Sequence, residues 1–354
     1  MGEHGTGRRE ITVSDVASAA RVSKATAARA LGDYGAVSDA VRDRVQKAAE
    51  ELGYRPNALA RTMSTGRSHT IGIVIGDIEN PYFAQATRAA ADVAAAAGYD
   101  VILSNSDEEP DREAQAIAVQ LAKRVDGLLV APASSLAPDT LQPVLDAARP
   151  LVLFDRAVPS LDVDTVITAN RSGARRLTAL LLAAGHRRIA FVSTLAHAGG
   201  YRLGEVLASS SVAERVQGFT DTLAEAGIEH PERFVHLNAK EHGVEELVVR
   251  LLRAEEPPTA IIASDSLVAL AAFRAARRLG IPIPGRLSLV AFDDADWTGL
   301  TTPGITVMAQ PIHEIGAEAA RALLRRIGGD GSPAATTVLD QQLVERESVA
   351  PPAG

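Results

Sequence analysis

The sequence predicts a small all-α helix-turn-helix head followed by an α/β body of two parallel-sheet lobes. Near the N-terminus, apolar residues recur at the spacing of short amphipathic helices. From Thr70 onwards, β-branched runs alternate with helical segments of about 12 to 16 residues, which is the pattern of βαβ units. The 354 residues are enough for two or three domains, at about 100 to 200 residues per domain.

Three short helices are predicted in the head. In the first, one apolar face repeats at i, i+3, i+4 and i+7. Its members are Val13, Val16, Ala17 and Ala20. Ser23 is placed to cap a second helix, Lys24 to Leu31, and Ser38 to cap a third that ends at Leu52.

The outer face of the second helix is the candidate DNA-reading surface. Ala27, Ala30 and Leu31 can pack against the first helix, which leaves the other side chains towards solvent. Those residues are Lys24, Ala25, Thr26 and Arg29. They could reach phosphates and base edges in a DNA groove. The alternative is an ordinary solvated helix face.

Charge is distributed unevenly along the chain. Residues 1–67 hold 11 Lys and Arg against 8 Asp and Glu, whereas the remainder holds 25 against 36. A head of net charge +3 therefore precedes a body of −11, although the whole chain is at −8. This asymmetry favours a nucleic-acid module joined to a second module.

A short segment is predicted to link the head to the body. Pro56-Asn57 opens the stretch from Ala58 to Met63, and a polar run from Ser64 to Ser68 follows. Isolated helices shorter than about 12 residues are marginal in water, so we expect this stretch to fold only against a partner.

The body pattern predicts two similar lobes with a ligand cleft between them. Strands are expected at 71–75, 101–104, 127–130, 151–154, 166–167, 189–192, 260–264 and 287–292. Helices are expected at 81–97, 112–123, 140–148, 172–184, 213–226, 244–252, 267–279 and 314–327. Ligands of open α/β sheets bind at the carboxyl ends of the strands. Leu195 to Ser211 is expected to be a long loop.

The sequence lacks the residues that several classes of protein need for their function. The chain has no cysteine, and neither a secretion signal nor a membrane span is evident, so we expect a cytoplasmic protein. The P-loop, dinucleotide-binding, zinc-protease and nucleophile-elbow motifs are missing, so no enzyme, catalytic residue, metal site or cofactor is predicted. The lobes alone would equally suit a solute-binding protein.

The chain resembles the lac repressor (LacI/GalR) family of bacterial transcription regulators over almost its whole length. Six motifs carry this resemblance at the family's spacing. They are Val13-Ser14-Asp15-Val16-Ala17 with Val22-Ser23, Gly53-Tyr54-Arg55-Pro56-Asn57, Asn80-Pro81-Tyr82-Phe83, Gly185-His186-Arg187-Arg188-Ile189, Ala291-Phe292-Asp293-Asp294 and Leu300-Thr301-Thr302-Pro303.

The resemblance implies a sequence-specific regulator, most simply a repressor, that binds a pseudo-palindromic operator as a homodimer or dimer of dimers. A small-molecule effector, a sugar or nucleoside-like compound, would control it through a periplasmic-binding-protein-like body. The implied divisions are a disordered tail at 1–10, a helix-turn-helix domain at 11–55, a hinge helix and linker at 56–68, and an effector-binding and dimerisation domain at 69–354. Lobe one would comprise about 69–167 and 298–330, and lobe two about 168–297 and 331–350.

The resemblance also assigns the DNA contacts. The residues implied are Ser23, Lys24, Ala25, Thr26, Arg29, Asn57, Ala60 and Met63. Met63 stands where the family has a leucine that wedges between central base pairs from the minor groove, and a linker methionine touching the body is the alternative. Arg21 replaces a common glycine at the turn, where a left-handed conformation would cost roughly 1 to 2 kcal/mol, so a differently shaped turn is also open.

In the body, the resemblance places Asp293 and Arg215 around the effector. A carboxylate accepts hydrogen bonds from adjacent hydroxyls and a guanidinium donates two, which suits a sugar or a ribose. The other implied effector-binding residues are Tyr82, Phe83, Asp155, Arg156, Ser264 and Asp265. A loop cap for Asp293 and a helix-surface ion pair for Arg215 are the alternatives, and Ala169 departs from the family's aspartate.

Overall fold

The computed structural model describes residues 11–32, 35–54, 67–237 and 243–353. The predicted tail, and the hinge residues Asn57, Ala60 and Met63, lie outside this described part. The chain divides into two compact units between Ser68 and His69, and each is described by itself.

The three predicted head helices are confirmed as α1 (Val13–Ala19), α2 (Lys24–Gly32) and α3 (Asp39–Leu52). Small side chains dominate the core that they share, which lets short helices pack closely. The fully buried members include Val16, Ala27 and Val45. Thr12 and Asp15 form a reciprocal capping box at the start of α1, which stabilises a helix of only two turns.

The turn between α1 and α2 uses the left-handed conformation. Arg21 adopts φ 53°, so it accepts the strain that a glycine would avoid, and the differently shaped turn does not occur. Ser23 caps α2 as predicted, because its Oγ accepts the backbone N–H of Thr26 at 3.0 Å. The predicted side-chain cap at Ser38 is wrong, since its side chain makes no capping hydrogen bond and only its carbonyl accepts from Val41 and Arg42.

The body contains twelve strands within its described residues. They are β1 (Thr70–Ile75), β2 (Asp100–Asn105), β3 (Gly127–Val130), β4 (Leu151–Phe154), β5 (Asp164–Thr168), β6 (Ile189–Val192), β7 (Val235–His236), β8 (Ala260–Ala263), β9 (Ser288–Phe292), β10 (Thr306–Ala309), β11 (Thr336–Leu339) and β12 (Gln342–Val344). β7, β10, β11 and β12 were absent from the prediction, because they are short and their sequences have no clear alternation.

Helices cover both sheets. They are α4 (Pro81–Ala96), α5 (Pro110–Ala122), α6 (Gln142–Asp146), α7 (Asn170–Ala183), α8 (Ser210–Glu225), α9 (Val244–Leu252), α10 (Ser266–Arg278), α11 (Asp296–Leu300) and α12 (Ile312–Ile327). The helix expected at 140–148 is instead a 3-10 turn, Pro138–Thr140, followed by α6. No helix among the described residues is long and apolar enough to cross a membrane.

The strands form two six-stranded sheets, one in each lobe. The first has the order β11-β5-β4-β3-β1-β2 and is entirely parallel. The second has the order β12-β10-β9-β8-β6-β7 and is parallel except for β12, which runs antiparallel to β10. Each sheet is buried between helices, as parallel sheets require.

The chain crosses between the lobes three times, near Ala169, Gln310 and Asp340. The predicted lobe boundaries need correction, because β10 pairs with β9 in the second sheet although 298–330 was assigned to lobe one. Likewise β11 pairs with β5 in the first sheet, although 331–350 was assigned to lobe two. α12 packs in the first lobe, where Ala86 lies so close to Gly316 that any side chain at 316 would collide with its carbonyl.

Candidate functional site

A cleft of about 710 Å³ lies between the two lobes at the carboxyl ends of their strands. All eight body residues that the sequence singled out line this cleft. They are Tyr82, Phe83, Asp155, Arg156, Arg215, Ser264, Asp265 and Asp293. The volume falls within the range of about 300 to 1,000 Å³ that is usual for small-molecule sites.

Asp293 follows β9 and is 4% exposed. Its backbone is left-handed, with φ 71°, and its carboxylate accepts a hydrogen bond from Nε2 of Gln310 at 2.6 Å. Burial raises the pKa of Asp293 to about 6, against the lowering influence of Arg215 and Gln310. The carboxylate is thus held inside the cleft by a side chain from another segment.

Arg215 lies on α8 and is 5% exposed, so the alternative of a helix-surface ion pair is wrong. Its Nε donates to Oδ1 of Asn170 at 2.7 Å and its Nη1 to the carbonyl of Ser264 at 2.6 Å. The guanidinium carbon also lies 4.1 Å from the centre of the Phe292 ring. These contacts fix the orientation of the guanidinium before any ligand arrives.

Asp155 and Arg156 follow β4 and form the wall on the first lobe. Asp155 is left-handed, with φ 65°, and its Oδ2 lies 3.3 Å from Nε of Arg156. Arg156 also donates to Oε1 of Glu108 at 2.5 Å and to the carbonyl of Pro132 at 3.1 Å. This guanidinium is therefore occupied by the protein.

Ser264 and Asp265 follow β8. Oδ1 of Asp265 accepts the backbone N–H groups of Leu267 and Val268, both at 2.9 Å, and so caps α10. Oγ of Ser264 donates to Oδ2 of Asp265 at 2.9 Å. Burial raises the pKa of Asp265. This pair has a structural role in addition to lining the cleft.

Tyr82 and Phe83 lie in the first turn of α4, which Asn80 caps by accepting the N–H of Tyr82 at 3.0 Å. The two rings meet edge to face, with 5.2 Å between their centres. Burial, followed by the charges of Asp155 and Asp293, raises the pKa of the Tyr82 hydroxyl well above its usual value. The two rings therefore form an apolar wall of the cleft, and the hydroxyl of Tyr82 is its one polar group.

A buried polar network at the crossovers was not predicted. Oγ1 of Thr168 donates to Oε1 of Gln310 at 2.7 Å and accepts from Nε2 of Gln341 at 2.9 Å. Gln310 holds Asp293, and Asn170, two residues after Thr168, holds Arg215. Each of the three crossovers therefore contributes a side chain to the support of the cleft.

Many further residues line the cleft that were not predicted from the sequence. Those with acidic or other polar side chains are Asp77, Glu79, Asn80, Asn105, Asp107, Glu108, Glu109, Arg112, Ser193, Thr194, Ser211 and Gln310. Position alone could have identified some of them, because Ser193 directly follows β6, Asp77 lies two residues after the end of β1, and Asn105 ends β2. No group of three or more potential metal ligands is found among the described residues.

The predicted long loop, which runs from 193 to 209 between β6 and α8, is tied to both lobes. Within it, Nε2 of His197 lies 3.3 Å from Oε1 of Glu205. At its end, the carbonyl of Ala208 accepts the N–H of Ser135 in the first lobe at 2.6 Å. Ser210 Oγ accepts the N–H of Ala157, also in the first lobe, at 2.8 Å. The lobes are thus hydrogen-bonded beside the cleft.

In the head, α2 presents the predicted reading surface. Lys24, Ala25 and Arg29 are exposed, and Thr26 is half-buried. The hydroxyls of Ser23 and Thr26 bond to each other at 2.8 Å, so part of their capacity is used within the helix. Within the described residues, the hydrogen bond found for the Arg29 side chain runs from its Nε to the carbonyl of Ala25, at 3.3 Å. Its charged end can therefore meet another molecule.

Comparison with known proteins agrees with this arrangement. Residues 12–57 match the family described as bacterial regulatory proteins, lacI family, and residues 178–349 match a periplasmic binding protein-like domain. The repressor CytR of Escherichia coli (strain K12), an HTH-type transcriptional regulator, is 32% identical, over 95% of this chain and 96% of that protein.

Solved structures show the same fold. The transcriptional regulator CelR in complex with cellobiose is 29% identical with a TM-score of 0.67, over 96% of this chain and 100% of that one. The lac repressor dimer bound to operator and an anti-inducer is 23% identical with a TM-score of 0.81, over 97% and 100%, and shows the fold alone. KdgR of Bacillus subtilis (strain 168), 30% identical over 96% of this chain and 97% of that protein, is likewise an HTH-type transcriptional regulator. This chain therefore belongs to the lacI family and is a DNA-binding transcriptional regulator with an effector-binding domain.

Proposed function

We propose that this regulator is a repressor that binds a pseudo-palindromic operator as a homodimer or dimer of dimers and responds to a sugar or nucleoside-like effector. The observation that carries the effector proposal is the buried pair of Asp293 and Arg215 in the interlobe cleft. Two relatives support the rest, since CytR is a transcriptional repressor and the structure of CelR is a complex with cellobiose.

The chemistry of the cleft suits a molecule with several hydroxyl groups. The carboxylates of Asp293 and Asp155 can accept hydrogen bonds from adjacent hydroxyls, whereas Tyr82 and Phe83 can contact the apolar face of a sugar ring. Nη2 of Arg215 is the guanidinium nitrogen not used in holding Asn170 and Ser264, and it can donate to the ligand.

We further propose that the effector acts by linkage. A ligand that binds one arrangement of the lobes more tightly shifts the protein towards that arrangement. The segment at 56–68 would then help or hinder the grip of the paired heads on DNA. A coupling of about 1 to 3 kcal/mol changes operator affinity about 5- to 150-fold.

The DNA contacts are proposed on the same basis. Lys24 and Arg29, with Ser23, Ala25 and Thr26, would lie in the major groove of one half-site. The hinge residues Asn57, Ala60 and Met63 would enter the minor groove, with Met63 inserted between base pairs. A dimer is needed because one α2 can read only one half-site.

Two steps test the function. Selection of bound duplexes from a random DNA pool should enrich a pseudo-palindrome, and binding to it should weaken steeply with salt, at a log–log slope near −0.9 per phosphate neutralised. Thermal unfolding across neutral sugars and nucleosides should then identify a stabilising ligand that also changes operator affinity. A flat salt response, or enrichment without any symmetric site, would contradict the proposal.

A further inference from the structure

The cleft lining carries a large excess of negative charge. Eight of its residues are Asp or Glu and three are Arg, which gives a net formal charge of −5. Two of the three guanidiniums are already in ion pairs, Arg112 with Asp107 and Arg156 with Glu108. Little positive charge therefore remains for an anionic ligand.

The third guanidinium is also committed to the protein. Arg215 donates to Asn170 and to the carbonyl of Ser264, and its flat face lies on the ring of Phe292. A phosphate or carboxylate is best bound by a guanidinium that can offer two parallel N–H groups. The Nε edge of Arg215 is not vacant, because its Nε already donates to Asn170.

The cleft holds a buried hydroxyl among carboxylates. Tyr82 is 5% exposed, and Asp155 and Asp293 lie near its hydroxyl, with Asp155 as its hydrogen-bond acceptor. The hydroxyl oxygen can still accept a hydrogen bond from a ligand. A group that donates several hydrogen bonds and carries positive charge would satisfy the hydroxyl and both carboxylates together.

We propose that the cleft selects its effector by charge, taking a sugar or nucleoside that bears a protonated amino group and rejecting one that bears a carboxylate or phosphate. This inference rests on the proposed function. The ammonium group binds beside Tyr82, Asp155 and Asp293, and the acidic rim repels anions. Specificity arises as much from this repulsion as from attraction.

Calorimetry on the full-length protein tests the proposal with matched sugars. The glucose and galactose series each provide a neutral parent, a 2-amino sugar, its N-acetyl derivative and a uronic acid. In at least one series we expect the amino sugar to bind about tenfold more tightly than the neutral parent, and the uronic acid to bind more weakly than either. N-acetylation should remove the advantage, and salt should reduce it by screening.

Two rim carboxylates, those of the exposed residues Glu79 and Glu109, provide the matched variants. E79Q/E109Q should reduce the preference for the amino sugar by several-fold and strengthen binding of the uronic acid. The control E229Q/E255Q removes two exposed charges elsewhere on the body and should leave the preference unchanged.

Three results would overturn the charge rule: a uronic acid that binds as tightly as its neutral parent, an amino-sugar advantage that salt does not change, or no binding by either amino sugar. Operator binding, followed with the same sugars, separates this failure from that of the proposed function. If neutral sugars alter operator affinity and amino sugars do not, the regulator proposal stands and the charge rule fails. If no sugar or nucleoside of any charge alters it, the proposed function fails.

Discussion

Asp293 shows how single residues in this cleft are held in unfavourable states. Its backbone is left-handed and its carboxylate is buried, and both features cost free energy in the ligand-free protein. Gln310 offsets only part of that cost by donating one hydrogen bond. Functional sites commonly retain such strain because the ligand needs the group in that position.

The pKa of Asp293 leads to a prediction about stability. Because its folded pKa, about 6, lies above its ordinary value of 3.8, the wild type loses stability from this group as pH rises from about 4 to about 6. Asp293→Asn removes the charge, so the ligand-free variant should be more stable by about 3 kcal/mol at pH 7 and by little at pH 4. Urea unfolding at both pH values measures the difference, and an equal difference at the two would refute it.

Arg29 leads to a prediction about DNA discrimination. If Arg29 reads a base edge, Arg29→Ala should reduce the preference for operator over random duplex by about 1 to 3 kcal/mol. The control Arg250→Ala removes the same charge from an exposed position in the body. Competition binding with operator and random DNA measures the preference. Equal losses on both duplexes would assign Arg29 to the phosphates only.

At the level of elements, the three crossovers are the parts that join the cleft to both lobes. Thr168, Gln310 and Gln341 each lie at a different crossover, and Thr168 Oγ1 bonds to both glutamines. Because Gln310 also holds Asp293, the cleft is connected by hydrogen bonds to the crossover segments. Buried networks of this kind are costly when only partly satisfied.

Removal of the central hydroxyl tests this network. Thr168→Val removes the hydrogen bonds of Thr168 to Oε1 of Gln310 and to Nε2 of Gln341, so we expect a loss of about 1 to 3 kcal/mol of unfolding free energy together with weaker effector binding. Thr178→Val is the control, because Thr178 is also buried and, among the described residues, its hydroxyl donates to the carbonyl of Ala174 within its own helix. Chemical denaturation and effector titration compare the variants. Similar effects of the two substitutions would deny the network any special role.

The sequence predicted the elements better than it predicted their assembly. Local spacing determines helices α1 to α3, and buried β-branched runs identify the long central strands, so both could be read directly. The lobe assignment of β10 and β11 depends on which strand each one pairs with, and local pattern contains no such information. The roles of Gln310 and Gln341 could not be predicted for the same reason, because their hydrogen bonds to Thr168 span 142 and 173 residues.

The predicted site residues follow the same rule. Asp293, Asp155 and Ser264 directly follow strands, so their place in the cleft was predictable from fold topology. The acidic rim was not, because isolated acidic residues after a strand look like ordinary solvated surface. These acidic residues form a negatively charged rim only because the fold brings several such loops to the edge of one cleft.

At the scale of the whole molecule, we propose that the effector-binding body adopts more than one arrangement. Among the described residues, two sheets with separate cores are joined by three crossovers and by hydrogen bonds such as Ser135 to Ala208 and Ala157 to Ser210. Domain closure around a ligand uses hinges of this type. Control by an effector requires that domain closure and DNA binding are coupled, so that each changes the equilibrium of the other.

Reciprocal binding measures that shared equilibrium most directly. The dissociation constant of the effector is measured with the protein alone and with its operator complex. The dissociation constant of the operator is measured with and without saturating effector. Linkage requires the two ratios of dissociation constants to be the same factor, which we expect to be about 5- to 150-fold. An effector that binds in the cleft with the same affinity whether or not operator is bound would contradict the account.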